Sequence, residues 1–178
     1  MFCKNGLFTS ECVTCGHPDK VCDQISDAIL DACLEEDPDS RVAVECLIGK
    51  DKLVIMGEIT TKANINYEVI ARTELRRIGY TSSDIGFDCN NGTIEVLLNT
   101  QSPDIAMGVD TGGAGDQGMM YGYACNETAD YLPFGFVLAK KLARQLEKQR
   151  VIENDLYGSS SMLRPDGKTQ VTMLYKDG

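Results

Sequence analysis

At 178 residues the chain is long enough for a real core and amounts to one domain or slightly more. Its 17 Lys and Arg against 27 Asp and Glu give a net charge of −10, which argues against non-specific nucleic-acid binding, a function that rests on basic side chains. An apolar share of 43% excludes disorder, and no run approaches the ~18 apolar residues of a membrane span.

The stretch Gly16-His17-Pro18-Asp19-Lys20 opens a helical pattern. Pro suits the first helical position, because its fixed backbone angle fits and its missing N–H has no partner there in any case. The open N–H groups of such a turn favour an anion. His17 is expected at the cap and Asp19 one step inside. Val21, Cys22, Ile25, Ala28, Ile29, Ala32 and Cys33 then recur at helical spacing and predict a helix over 18–36. Residues 37–40, Asp-Pro-Asp-Ser, end it.

Residues 41–48 and 53–60 read as strands joined by a hairpin at 49–52. Residues 66–78 read as a second helix stopped by Gly79, and 93–99 as a third strand. This order predicts an α+β fold: a two-layer sandwich with helices on one face of a mostly antiparallel sheet. Residues 100–118 form a glycine-rich segment of the kind that is functional or mobile. Beyond it, 119–125 reads as a strand, 133–150 as a helix, 153–161 as a polar loop and 168–175 as a strand. The expected organisation is a first domain over 1–102, a loop and connector over 103–118, and the incomplete start of a second α/β unit over 119–178.

Eight cysteines, with no leader-like apolar stretch in residues 1–10, point to the reducing cytoplasm and free thiols. Cys12, Cys15, His17 and Cys22 offer four zinc-ligand types, but the tight spacing lacks the distant second pair of a structural site. Asp19, Asp23, Asp27 and Asp31 recur every four residues, and the last three read as a solvated face. Asp19 differs. In the first turn, beside a phosphate, it suits Mg²⁺, which is held by one or two carboxylates plus phosphate oxygens. Glu45 and Glu58 sit in largely apolar strands, so each needs a partner or an exposed position. A phosphate ligand on so acidic a chain needs local cations, and Lys20, Arg164 and Lys168 are candidates.

In register along nearly the whole chain stand Thr9-Ser10-Glu11, Gly16-His17-Pro18-Asp19-Lys20, Asp23-Gln24-Ile25-Ser26-Asp27-Ala28, Gly57-Glu58-Ile59-Thr60-Thr61, Gln101-Ser102-Pro103-Asp104-Ile105, the 113–118 glycine stretch, Gly122-Tyr123-Ala124, Asn126-Glu127-Thr128 and Leu163-Arg164-Pro165-Asp166. On these segments the chain resembles the N-terminal half of S-adenosylmethionine synthetase (methionine adenosyltransferase). The resemblance implies three like α/β units about a pseudo-threefold axis, the second incomplete here. It also implies a homodimer or tetramer with active sites between subunits.

It implies ATP and L-methionine as substrates, Mg²⁺ and K⁺ as cofactors, and release of phosphate and pyrophosphate. By resemblance His17 and Lys168 are catalytic. His17, Asp166, Gly167 and Lys168 contact ATP, while Glu58, Gln101 and Asp116 contact methionine. Asp19 binds Mg²⁺, Glu45 binds K⁺, and the 101–112 segment gates the site. The alternative is a non-catalytic module: a half-subunit that pairs with a separate C-terminal half, or a binder of ATP. Family members are roughly twice this length. Cys12 and Cys15 replace the usual Ser and Glu, the gating loop is short, and residues 157–161 depart from the family's wording.

Overall fold

The structure is a computed structural model and describes residues 5–100, 107, 112, 113, 117–158 and 161–176. They form two compact units: Met1–Lys20 with Tyr121–Gly178, and Val21–Met120.

In the first unit β1 (Gly6–Val13) pairs antiparallel with β7 (Lys168–Tyr175), in a register running from Gly6 opposite Tyr175 to Val13 opposite Lys168. Alternate residues of β7 are half-buried, which is the period of a strand covered on one side. The cover is helix α3 (Phe134–Tyr157), which packs on both strands. Close approach is built in: a Cβ on Gly135 would lie 2.9 Å from Met173 Cγ. The Thr169 hydroxyl donates to the Ala139 carbonyl at 2.7 Å. Glu127 serves the start of α3, its Oε2 accepting the Phe134 N–H at 2.9 Å and the Tyr175 hydroxyl at 3.0 Å.

In the second unit β2 (Arg41–Gly49) and β3 (Lys52–Thr60) form the expected hairpin, with Asp51 at φ 51° in its turn. Strand β6 (Thr93–Asn99) joins β3 in parallel, giving the order β2-β3-β6. A short antiparallel pair, β4 (Thr81–Ser82) with β5 (Phe87–Asp88), completes the described strands. Antiparallel pairing therefore dominates, as an α+β fold requires.

Helix α1 (Pro18–Glu36) buries Val21, Ile25, Ile29 and Cys33 completely, a strict four-residue stripe. Asp23, Asp27 and Asp31 lie on its exposed side, as the solvated-face reading expects. Helix α2 (Tyr67–Ile78) starts at Asn66, whose side chain accepts the Val69 N–H at 3.1 Å. It ends at Gly79 in the left-handed region (φ 112°), where Tyr80 N–H returns to the Leu75 carbonyl at 2.9 Å, a Schellman closure. Leu53, Ile55, Ile59, Ala71, Leu75 and Phe87 complete this core.

Three expectations change. Residues 6–13, given no element from sequence, are a strand because β7 supplies their partner. Residues 119–125, expected as a strand, have no regular structure where described; their Met and Tyr side chains have the composition of a strand but no ladder to join. Helix α3 runs to Tyr157, so much of the polar loop expected over 153–161 is helical. Ile152 and Leu156, four apart, continue the helical spacing through Glu153, Asn154 and Asp155.

Among the described residues no helix is long and apolar enough to cross a membrane, and the described cysteines are all free thiols.

Candidate active site

The first unit brings two separate stretches of sequence together. The turn before α1 lies against the segment before β7. Thr14 N–H donates to the Gly167 carbonyl at 2.8 Å, and its hydroxyl donates to the Pro165 carbonyl at 2.7 Å. Gly16 fits only because it has no side chain: a Cβ there would lie 2.3 Å from the Pro165 carbonyl carbon. His17 and the stretch Asp166-Gly167-Lys168 are thus held on neighbouring backbone.

His17 caps α1 with its ring. Nδ1 accepts the Asp19 backbone N–H at 3.2 Å, and the Asp19 carboxylate stands 3.7 Å from the same nitrogen. A neutral imidazole that accepts at Nδ1 carries its proton at Nε2. The ring therefore keeps one donor, Nε2–H, while its other nitrogen anchors it. This changes the sequence expectation for the anion site. Pro18 has no N–H and Asp19's is taken by the ring, so two amides of the first turn are not open to an anion. A phosphate there draws correspondingly more on the charge of side chains.

Lys168 is one of those side chains. Its ammonium pairs with Glu11 across the β1–β7 ladder, and Gln170 donates to the same carboxylate at 2.9 Å. The Lys168 hydrogen bond, ahead of Gln170's, holds the Glu11 carboxyl below its ordinary pKa. Both partners are exposed, so Lys168 can turn towards a ligand at small cost. Asp166 is exposed and lines a cavity of about 260 Å³ with Thr14, Glu147, Arg150 and Arg164. Arg150 is buried and paired with Glu147, whose other oxygen, Oε2, is buried with no hydrogen-bond partner among the described residues. Nothing in the local sequence around Thr14, Glu147 or Arg150 marked them beyond a helical i,i+3 pair.

Asp19 is 81% exposed at its side chain. Among the described residues no three His, Cys, Asp or Glu groups are placed to hold a metal ion. The Cys12, Cys15, His17 and Cys22 set therefore does not form a zinc cage. A single open carboxylate does fit a cation shared with polyphosphate, which keeps most of its ligands as water and phosphate oxygen.

In the second unit Glu45 and Glu58 occupy one face of the β2-β3-β6 sheet. Opposite Glu45 stands Met56, followed by Leu97; opposite Glu58 stand Ala43 and Asn99. Glu45 is exposed on the edge strand and Glu58 half-buried on the central one. Leu47, Met56 and Leu97 share this face and are about half exposed or more. Gly57, beside Glu58, is at φ 137°, and a Cβ there would sit 2.0 Å from the Ala43 carbonyl oxygen. Gln101 and Asp116, and with them most of the expected 101–112 gate, lie outside the described residues.

The family model "S-adenosylmethionine synthetase, N-terminal domain" matches residues 5–103, and "S-adenosylmethionine synthetase, central domain" matches 111–178. The chain belongs to the S-adenosylmethionine synthetase family. It is 51% identical to the S-adenosylmethionine synthase of Thermosynechococcus vestitus over 97% of its own length and 44% of that protein's. It is 52% identical to that of Brachyspira hyodysenteriae over 98% of its length and 46% of that protein's. The chain thus spans less than half the length of these curated relatives and corresponds to their N-terminal part.

Proposed function

We propose that this chain contributes the N-terminal part of a methionine adenosyltransferase, which makes S-adenosylmethionine from ATP and L-methionine and releases phosphate and pyrophosphate. The observation that carries the reading is the junction of His17 with Asp166-Gly167-Lys168, within a chain whose two family matches span nearly its whole length. The linear division we propose is a first domain over 1–102, a gating segment and connector over 103–118, and the start of the central domain over 119–178.

In this reaction the methionine sulfur attacks the 5′ carbon of ATP, the carbon–oxygen bond breaks, and its electrons leave with triphosphate. The thioether has no proton to lose, so no general base is needed. The demand falls on alignment and on the departing negative charge. His17 suits the second of these demands, because with Nδ1 anchored its Nε2–H is a preorientated donor for the oxygen that leaves. Lys168 meets the phosphates, and Asp166 with the Gly167 backbone meets the nucleotide. Asp19 would hold Mg²⁺, whose charge neutralises the polyphosphate. Glu58, Gln101 and Asp116 would take the methionine, carboxylate to ammonium, and Glu45 would hold K⁺.

The open face bearing Glu45, Glu58, Leu47, Met56 and Leu97 supports pairing of two copies, with methionine bound at the seam of a homodimer or a tetramer. The family chemistry and the free thiols support a cytoplasmic enzyme that needs neither nucleic acid nor membrane.

The test is S-adenosylmethionine formation by the complete reading frame that carries this chain, with and without His17→Ala. Loss of a leaving-group donor is expected to lower kcat by roughly a hundredfold or more while methionine affinity stays within about twofold. An unchanged rate would remove His17 from its role. The 178-residue chain alone is expected to form almost no product, and measurable turnover by it would overturn that expectation. The half-subunit reading rests on the 44% coverage, and recovery of activity on adding a separate C-terminal half would establish it.

A further inference from the structure

Among the described residues no group is placed to hold a metal ion beside Thr14, yet Thr14 uses every polar group it has. It is buried, at 4% exposure. Its N–H goes to Gly167 and its hydroxyl to Pro165, while its carbonyl accepts the His17 N–H at 3.1 Å. Its methyl packs beneath Gly167, where a Cβ would come 3.1 Å from Thr14 Cγ2. One residue therefore connects the backbone of the helix-capping histidine to the backbone of the segment that carries Asp166 and Lys168. Gly16, pressed on Pro165, leaves that connection no room to slide.

We propose that Thr14 is a positioning residue: it fixes the pose of the His17 ring relative to Asp166-Gly167-Lys168, so that one nucleotide polyphosphate can meet both. This rests on the reading of His17 and Lys168 as polyphosphate contacts, and it adds that their spacing is set by a threonine that touches no substrate. The hydroxyl is what matters. Valine keeps the shape but leaves the Pro165 carbonyl without its donor. Serine keeps the donor and loses only the methyl.

His17 is the only histidine in the chain, so its ring can be read alone. Long-range ¹H–¹⁵N spectra of the chain, taken where the ring is neutral, are expected to show a single tautomer with the proton at Nε2 and Nδ1 as acceptor. In Thr14→Val the two nitrogens are expected to move towards an averaged value, and Mg-ATP affinity by calorimetry to fall about tenfold. Thr14→Ser is expected to match wild type in both. Amide exchange in α3 distinguishes this from simple unfolding, since protection there is expected to survive in both variants. A His17 ring unaltered by Thr14→Val, or one equally altered by Thr14→Ser, would overturn the proposal. If the ring responds as expected while the wild-type chain binds no Mg-ATP, the positional link stands and the nucleotide reading of this chain fails.

Discussion

The two units hold their candidate groups in opposite ways. In the first, the two candidate donors already have a place. His17 is anchored through Nδ1, Lys168 rests on Glu11, and Thr14 ties the two segments together. In the second, Glu45 and Glu58 stand on an open sheet face between Leu47, Met56 and Leu97. A site for triphosphate has to be preorganised, because much of its work is placing donors where charge develops. Carboxylates on an apolar open face are suited to a site that is finished only when another surface arrives. On the proposed pairing of two copies, the difference lies between what the first unit prepares by itself and what the second leaves to the partner copy.

The sharpest way to break this contrast is to damage one unit and read the other. Gly57→Ala puts a methyl 2.0 Å from the Ala43 carbonyl in a backbone conformation that only glycine adopts readily. It is expected to cost the second unit about 3 kcal/mol in urea unfolding, while the His17 tautomer stays as in wild type. A shifted His17 signal would mean that the units are not independent. A milder change sharpens the role of the open face. Met56→Glu sets a third acid beside Glu45 and Glu58, and self-association by sedimentation is expected to weaken roughly tenfold with Mg-ATP affinity unchanged.

The smallest expected effect is on acid stability. Asp37 accepts the Lys62 N–H at 2.8 Å, the largest cause of a carboxyl pKa below its ordinary value. A depressed folded-state pKa contributes stability above the unfolded value, about 3.9, and loses it as pH falls through the folded one. Thermal scans below about pH 4 should therefore show Asp37→Asn with a shallower decline than wild type. Glu11, lowered by Lys168, gives the first unit a dependence of the same sign.

What sequence reveals here follows the range of each interaction. Helix α1 is legible because its four-residue stripe and its His-Pro-Asp start are local. The hairpin of β2 and β3 is legible for the same reason, as is the Gly79 stop of α2. Strand β1 is not, since Gly-Leu-Phe-Thr-Ser-Glu-Cys-Val has weak alternation and its only partner lies at the far end of the described chain. Residues 119–125 mislead in the opposite direction, with strand composition and no ladder. At the site, the His17 cap can be foreseen from neighbouring residues. Thr14 cannot, because its partners Pro165 and Gly167 are 151 and 153 positions away. The acceptor role of Nδ1 is equally hidden, and it reduces the share of the anion's charge that backbone amides can take.

The pairing of β1 with β7 has a consequence for synthesis. Thr9 and Thr172, hydrogen-bonded across the ladder, are separated by 163 positions. While the ribosome makes the intervening chain, the opening strand has an unclaimed edge, and the cap at His17 lacks the carbonyls that steady it. Such distant closure is slow and exposed to mispairing. The unit that holds His17 and Lys168 therefore closes only after the second unit has had time to fold around Leu53 and Ile55.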